Sequence, residues 1–276
     1  MDTAETQEAG GVANILVVED NPVMSQIIGK LLRRYEVKHD HIANGLEAIE
    51  AAKENQYDLI LMDILMPKLG GVRATKAIRA LSDHYAQIPI VAVTARVSER
   101  DVDQYLAEGM TSVVKKPING VNLAEVMREQ LGMEAAGSKR LETQPETEAE
   151  SDAKIWADDV DVLNWETFNE YAAILKSQFR SFLKDYLVAG PDLLSEINDS
   201  INEGDAKKVQ YHAHKFKSTS QVFGAEEVAD LAAKLEIMGK NNTIEHGHKV
   251  FMELHFAYER AQRALKQKLV LLQNMG

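Results

Sequence analysis

The chain contains no cysteine, which excludes disulfides, thiolate metal sites and a cysteine nucleophile. No apolar stretch approaches the ~20 residues that a membrane-spanning helix needs. Basic residues are outnumbered: the net charge is -12, which argues against binding phosphate backbones, so neither nucleic acid nor membrane is an expected partner. The first eleven residues are acidic and polar, with neither the basic start nor the apolar middle of a signal peptide. A cytoplasmic protein is the expectation, and the opening methionine and acidic leader point away from the tail of a longer sensor kinase. Proline is scarce, with six in 276 residues.

What the chain does contain is organised around Tyr57-Asp58-Leu59-Ile60-Leu61-Met62-Asp63. An apolar run of this kind reads as a strand buried on both faces, ending in a carboxylate where the chain turns. Taken singly, Asp63 is better explained as a strand-ending residue that caps the following turn. Around it, residues 13–131 alternate apolar runs with amphipathic stretches. Strands are expected at 13–20, 36–42, 57–63, 88–95 and 112–116. Helices are expected at 22–34, 46–55, 72–81, 98–108 (with Ser98 as N-cap and Gly109 as stop) and 121–131. Five such repeats with continuous apolar strands predict a doubly wound parallel α/β sheet.

Between Glu134 and Val162 there are nine acidic and three basic residues, so half of the net charge lies in one segment poor in hydrophobics. It reads as a flexible linker, and ~27 residues of that kind give an end-to-end distance on the order of 30 Å. Beyond it no strand pattern occurs. Trp165, Phe168, Ala172, Leu175, Phe179, Phe182 and Tyr186 make one helical stripe that Gly190-Pro191 is expected to break. Further helices follow from Leu193, from an Asp205 N-cap, through Val228–Met238 and from about Ile244, predicting an all-α antiparallel bundle. The organisation is therefore two domains, 13–133 and 163–274, joined by 134–162.

Polar residues that the strand bodies do not require stand at their ends: Glu19-Asp20, Asp63, Thr94 and Lys116-Pro117. In a parallel sheet these ends share one edge. Two carboxylates at ~4 Å repel by about 4 kcal/mol at an effective dielectric of 20, so three together call for a cation. Oxygen ligands without His or Cys suit Mg2+. A carboxylate beside Mg2+, a lysine and a threonine hydroxyl suits phosphoryl transfer, with Asp63 attacking phosphorus and Lys116 and Thr94 holding the oxygens.

With those residues in view, 13–131 resembles a response-regulator receiver domain of flavodoxin-like fold. Glu19 and Asp20 match the acidic pair and Asp63 the phosphoacceptor. Asp63-x-x-Met66-Pro67-x-x-x-Gly71 matches the following loop, Thr94-Ala95 the switch hydroxyl and Lys116-Pro117 the lysine with its cis proline. The resemblance also implies the carbonyl of Leu65 as an Mg2+ ligand beside Glu19, Asp20 and Asp63. One position departs: Val113 stands where the family carries Tyr or Phe, the aromatic that couples phosphorylation to an output face.

In the second half, Tyr211-His212-Ala213-His214-Lys215-Phe216-Lys217-Ser218 lies on an expected helix. Positions 209, 213, 216 and 220 share its buried face, whereas His214, Lys217, Ser218 and Gln221 are expected to face solvent together. An exposed histidine with a lysine one turn on suits reaction with an anion; His212 fits only a solvated surface position. The segment resembles the histidine-containing phosphotransfer (HPt) motif, with Gly224-Ala225 at the family offset, and the resemblance implies that His214 carries phosphate beside Lys217. Ser218 replaces the family glycine, implying narrower access or altered partner choice.

These readings converge on a two-component phosphorelay protein. A histidine kinase upstream would phosphorylate Asp63, and His214 would pass phosphate to or from a receiver aspartate of a downstream response regulator. No ATP-binding signature of a kinase occurs. The competing reading is a docking or scaffold protein gated by Asp63 phosphorylation, with His214 idle.

Overall fold

The computed structural model describes residues 12–95, 98–135 and 162–274. Five strands, β1 (Asn14–Val18), β2 (Lys38–Ile42), β3 (Leu59–Asp63), β4 (Ile90–Thr94) and β5 (Ser112–Lys115), form one parallel sheet in the order 2-1-3-4-5. The continuous apolar strands β3 and β4 lie fully buried inside it, and the polar β2 takes an edge. Parallel strands need crossovers, and helices supply them: α1 (Pro22–Leu32), α2 (Gly45–Glu54), α3 (Gly71–Arg79), the short α4 (Asp83–Gln87), α5 (Glu99–Ala107) and α6 (Gly120–Leu131). The apolar faces of α1 and α6 pack on one side of the sheet and those of α2, α3, α4 and α5 on the other. The expected doubly wound α/β sheet is thus present, with element ends shifted by two residues at most. Helix α4 falls between the expected helix 72–81 and strand 88–95, where no element is expected; it is about one turn long and rests on Ser82 as its N-cap.

Side-chain caps set several starts. Asn21 accepts from the N–H groups of Val23 and Met24 at the head of α1, and Ser98 from Asp101 at α5, as its sequence suggests. Asn119 and Asn122 close a capping box on α6.

The second half is helical throughout: α7 (Trp165–Leu175), α8 (Ser177–Asn202), α9 (Ala206–Val222), α10 (Glu226–Lys240) and α11 (Gly247–Asn274). The long helices α8 to α11 each pack on the next, and α11 returns to α8, closing a four-helix bundle. Its centre holds Phe179, Tyr186, Phe216, Phe223 and Tyr258, whose rings meet tilted, stacked or edge-on. Helix α7 lies outside that ring and packs on α1, so the core beneath α1 and α6 continues into the bundle.

The expected break at Gly190-Pro191 is not observed. The chain instead breaks at Lys176 (φ 53°), and Pro191 rides inside α8. Packing explains the difference. A Cβ at Gly190 would lie 1.9 Å from the Tyr258 hydroxyl, so the bare backbone is what admits α11. The carbonyl of Leu187, which Pro191 cannot serve for want of an N–H, accepts from Gln262 Nε2 at 3.4 Å. The Tyr258 hydroxyl donates to the Tyr186 carbonyl at 3.3 Å. The reading of 134–162 as a linker falls almost wholly on residues 136–161, outside those described. Among the described residues no helix is long and apolar enough to cross a membrane.

Candidate functional site

The sheet brings its C-terminal strand ends to one edge. Asp63 closes β3 and Thr94 closes β4. Glu19-Asp20 follow β1 directly, and Lys116 follows β5, joined to Pro117 by a cis bond. Glu19, Asp63, Thr94 and Lys116 are all buried, and Asp20 is half-buried. Lys116 Nζ donates to Asp63 Oδ2 at 2.7 Å and to Glu19 Oε1 at 3.0 Å. Asp63 Oδ1 accepts from the N–H of Leu65 at 3.2 Å, so the turn after β3 fixes the carboxylate. A Cβ at Gly71 would lie 2.0 Å from the Asp63 carbonyl oxygen; the glycine lets α3 begin directly against the strand end.

One ligand oxygen from each of Glu19, Asp20 and Asp63 lies within 4.8 Å of the other two. Burial pushes the Glu19 carboxyl up to about 8; Asp63 and Asp20 add to that push, and Lys116 opposes it. Asp20 is raised by the same causes, burial first and then Asp63. Burial works against the charge of Lys116, yet Asp63 and Glu19 outweigh it and hold the ammonium above its usual range. Three crowded carboxylates with one lysine are short of positive charge, and an all-oxygen donor set fits a hard dication such as Mg2+. Glu19, Asp20 and Asp63 are the residues that could hold it.

Helix α9 lies across this edge. Tyr211, His214, Lys215, Ser218 and Thr219 recur at the three- and four-residue spacing of one helical face. Asn21 Nδ2 donates to Thr219 Oγ1 at 3.0 Å, and Asp20 stands near enough to His214 and Lys215 to feel their charge and to bond the Tyr211 hydroxyl. His214 Nε2 comes to 4.0 Å from Asp63 Oδ2. Asp63 is 0% exposed and His214 4%. The expectation that His214, Lys217 and Ser218 face solvent is therefore not met: all three are buried, since the face they occupy is covered by the sheet edge and by α10.

Sequence reasoning missed Glu236. It comes from α10, is 1% exposed, and accepts from His214 Nδ1 at 3.2 Å and from Lys217 Nζ. Burial opposes its charge, but His214 and Lys217 prevail and hold the carboxyl down at about 2. The signal was present: Ala225, Ala229, Ala232, Glu236 and Gly239 form a stripe of small buried residues in which the one carboxylate is out of place. His212, by contrast, stands 3.0 Å from Glu196 and away from the site.

The arrangement can move a phosphoryl group. An imidazole whose Nδ1–H is held by a carboxylate keeps its lone pair on Nε2. That lone pair faces an aspartate oxygen across the span that a group in flight bridges, with a lysine and an acidic cation site alongside.

Comparison with known proteins follows the same division. Residues 15–128 match the family model of the response regulator receiver domain, and residues 181–266 match that of the Hpt domain. Transcription factor SKN7 of Saccharomyces cerevisiae is 35% identical over 114 residues, covering 41% of this chain and 18% of that protein. Signal transduction histidine-protein kinase BarA of Escherichia coli (strain K12) is 37% identical over 123 residues, covering 44% of this chain and 13% of that protein. The chain spans about a fifth, at most, of the length of such curated relatives. Among solved structures, the receiver domain of sensor histidine kinase PA1611 from Pseudomonas aeruginosa PAO1, with a magnesium ion in its active site cleft, is 34% identical. It covers 44% of this chain and 99% of its own, at a TM-score of 0.41.

Proposed function

We infer the function from what this chain is: residues 15–128 are a response regulator receiver domain and residues 181–266 are an Hpt domain. Both are modules of two-component phosphorelay signalling, and the chain works within such a relay. The division we assign is a receiver over 13–133, a linker over 134–162 and a phosphotransfer bundle over 163–274. Asp63 is the phosphoacceptor of the first and His214 the carrier of the second. The chain hands a phosphoryl group between them in cis. The observation that carries this reading is the 4.0 Å separation of His214 Nε2 and Asp63 Oδ2 within one chain.

Each side chain has a part in the transfer. Glu236 keeps the proton on Nδ1, so Nε2 attacks phosphorus with its lone pair while the Asp63 oxygen leaves as carboxylate. Lys116 and the Thr94 hydroxyl meet the phosphoryl oxygens, and Lys217, fixed by Glu236, brings a second cation to the histidine side. Glu19, Asp20, Asp63 and the Leu65 carbonyl would hold Mg2+, which would neutralise charge on the phosphoryl oxygens. The reverse step uses the same groups, so flux in either direction is accommodated. The upstream partner is a histidine kinase, the downstream partner a response-regulator receiver domain, and the compartment the cytoplasm.

Radiolabelled phosphate from a histidine kinase tests the assignment. Wild-type chain is expected to carry acid-labile, alkali-stable label on His214. His214→Ala is expected to retain only alkali-labile label on Asp63, and Asp63→Asn to take up none. If His214 stays unlabelled in wild-type chain whose Asp63 is labelled, the docking reading replaces the relay.

A further inference from the structure

Residues Ser218, Thr219 and Ser220 place three hydroxyls in a row on α9, and two of them are spent on the helix. Thr219 Oγ1 donates to the carbonyl of Lys215 at 3.1 Å and Ser220 Oγ to that of Phe216 at 2.8 Å, the ordinary back-bond of a helical hydroxyl. Ser218 makes no such bond. It is 3% exposed, and its Oγ has no hydrogen-bond partner. Leaving a hydroxyl buried and unpaired costs on the order of 1–3 kcal/mol, so an unbonded Ser218 between two bonded neighbours needs a reason.

Its place supplies one. Ser218 is one turn after His214 on the face whose other members meet the sheet edge: Tyr211 at Asp20 and Thr219 at Asn21. Helical side chains lean toward the N-terminus, so Oγ of Ser218 leans back over His214. His214 Nε2 is likewise buried without a hydrogen-bond partner, 4.0 Å from Asp63 Oδ2.

Resting on the relay reading, we propose that the Ser218 hydroxyl is a ligand of the phosphoryl group in transit, donating to a non-bridging oxygen as the group passes between Asp63 and His214. In the step the Asp63 O–P bond breaks and its electron pair returns to the carboxylate, while the Nε2 lone pair forms the P–N bond. Nδ1 keeps its proton against Glu236. No bond is made or broken at Ser218; its O–H turns to the oxygen where negative charge is greatest. Lys116 serves the group from the receiver side and Ser218 from the helix side, so the donor set is completed only when the two halves meet. A residue with this role discriminates between the docked pair and either half alone.

The test uses the whole chain. Asp63 is labelled with a small-molecule acyl phosphate and Mg2+, and the first-order constant for movement of label from Asp63 to His214 is followed by rapid quench. A donor to a charged oxygen is worth roughly 10- to 100-fold in rate, so S218A and S218G are each expected to slow transfer by that factor. S218T, which keeps the hydroxyl, is expected to remain within about threefold of wild type. Thermal unfolding of the same samples reports folding. S218A or S218G transferring at the wild-type rate, or S218G transferring faster, overturns the role of the hydroxyl while leaving the relay intact. Wild-type chain that labels Asp63 and passes nothing to His214 overturns both.

Discussion

Glu236 is a carboxylate buried between a histidine and a lysine, and its own charge is what keeps that trio in place. Its folded carboxyl lies at about 2, below the ~4.3 of an unfolded chain. A depressed carboxyl contributes stability that is fully present above the unfolded value and is lost as pH falls toward the folded one. Wild-type bundle stability is therefore expected to fall between about pH 4.5 and pH 2, and Glu236→Gln to lack that component, as denaturant unfolding at a series of pH values would show. Removing the partner outright strands Lys217, so Glu236→Ala is expected to cost about 3 kcal/mol in the same measurement. Gly71 gives a second expectation. A Cβ there strikes the Asp63 carbonyl, so Gly71→Ala is expected to lose about 1–3 kcal/mol of stability and to slow labelling of Asp63. How far such residues were legible depended on their surroundings. Asp63, Glu19-Asp20 and Lys116 announce themselves as polar ends on apolar strands. Glu236 sits within a helix where one glutamate resembles any surface glutamate until the phase of the small residues around it is followed.

At the scale of elements, hydrophobic period located every strand and the last three helices of the second half, because burial on a fixed face leaves a repeating trace. It misplaced the break between α7 and α8 for two reasons. Lysine carries no turn signature, so Lys176 at positive φ was invisible. Gly190-Pro191, the strongest breaker pair in the region, is tolerated because α11 supplies what the backbone lacks, an amide for the carbonyl of Leu187, and adds the Tyr258 hydroxyl on the carbonyl of Tyr186. That dependence makes Gly190 sensitive. Gly190→Ala would set a methyl 1.9 Å from the Tyr258 hydroxyl and is expected to destabilise the bundle by about 1–3 kcal/mol, although alanine is the better helix former. A thermal melt that rises with this substitution would mean that α11 is not held against α8 as described.

For the whole molecule, neither half alone contains the site, and the docking of the two was not legible in the sequence. It depends on matched surfaces far apart in the chain: Lys30 Nζ on the Leu175 carbonyl at 3.0 Å, the Tyr171 hydroxyl on that of Ile118 at 3.4 Å, Asn21 on Thr219, and Lys240 on Asp101 at 2.9 Å. These polar contacts flank an apolar seam where α7 packs on α1, and because domains within one chain move relative to each other by default, the closed form is expected to open and close. Closure has a consequence for traffic. It aligns Asp63 with His214 but buries both, so the form that transfers in cis is closed to outside partners. Because the chain has no cysteine of its own, the Asp101→Cys/Lys240→Cys chain can be tethered there alone with a short bismaleimide. Tethered after Asp63 is labelled, it is expected to pass label to His214 with a rate constant independent of protein concentration. Tethered beforehand, it is expected to accept label from a histidine kinase at least tenfold more slowly than the untethered double variant, since Asp63 then has no exposed surface for a docking partner. Equal acceptance by the two forms would show that the kinase reaches Asp63 without the halves separating, and transfer that scales with concentration would move the handover from one chain to two.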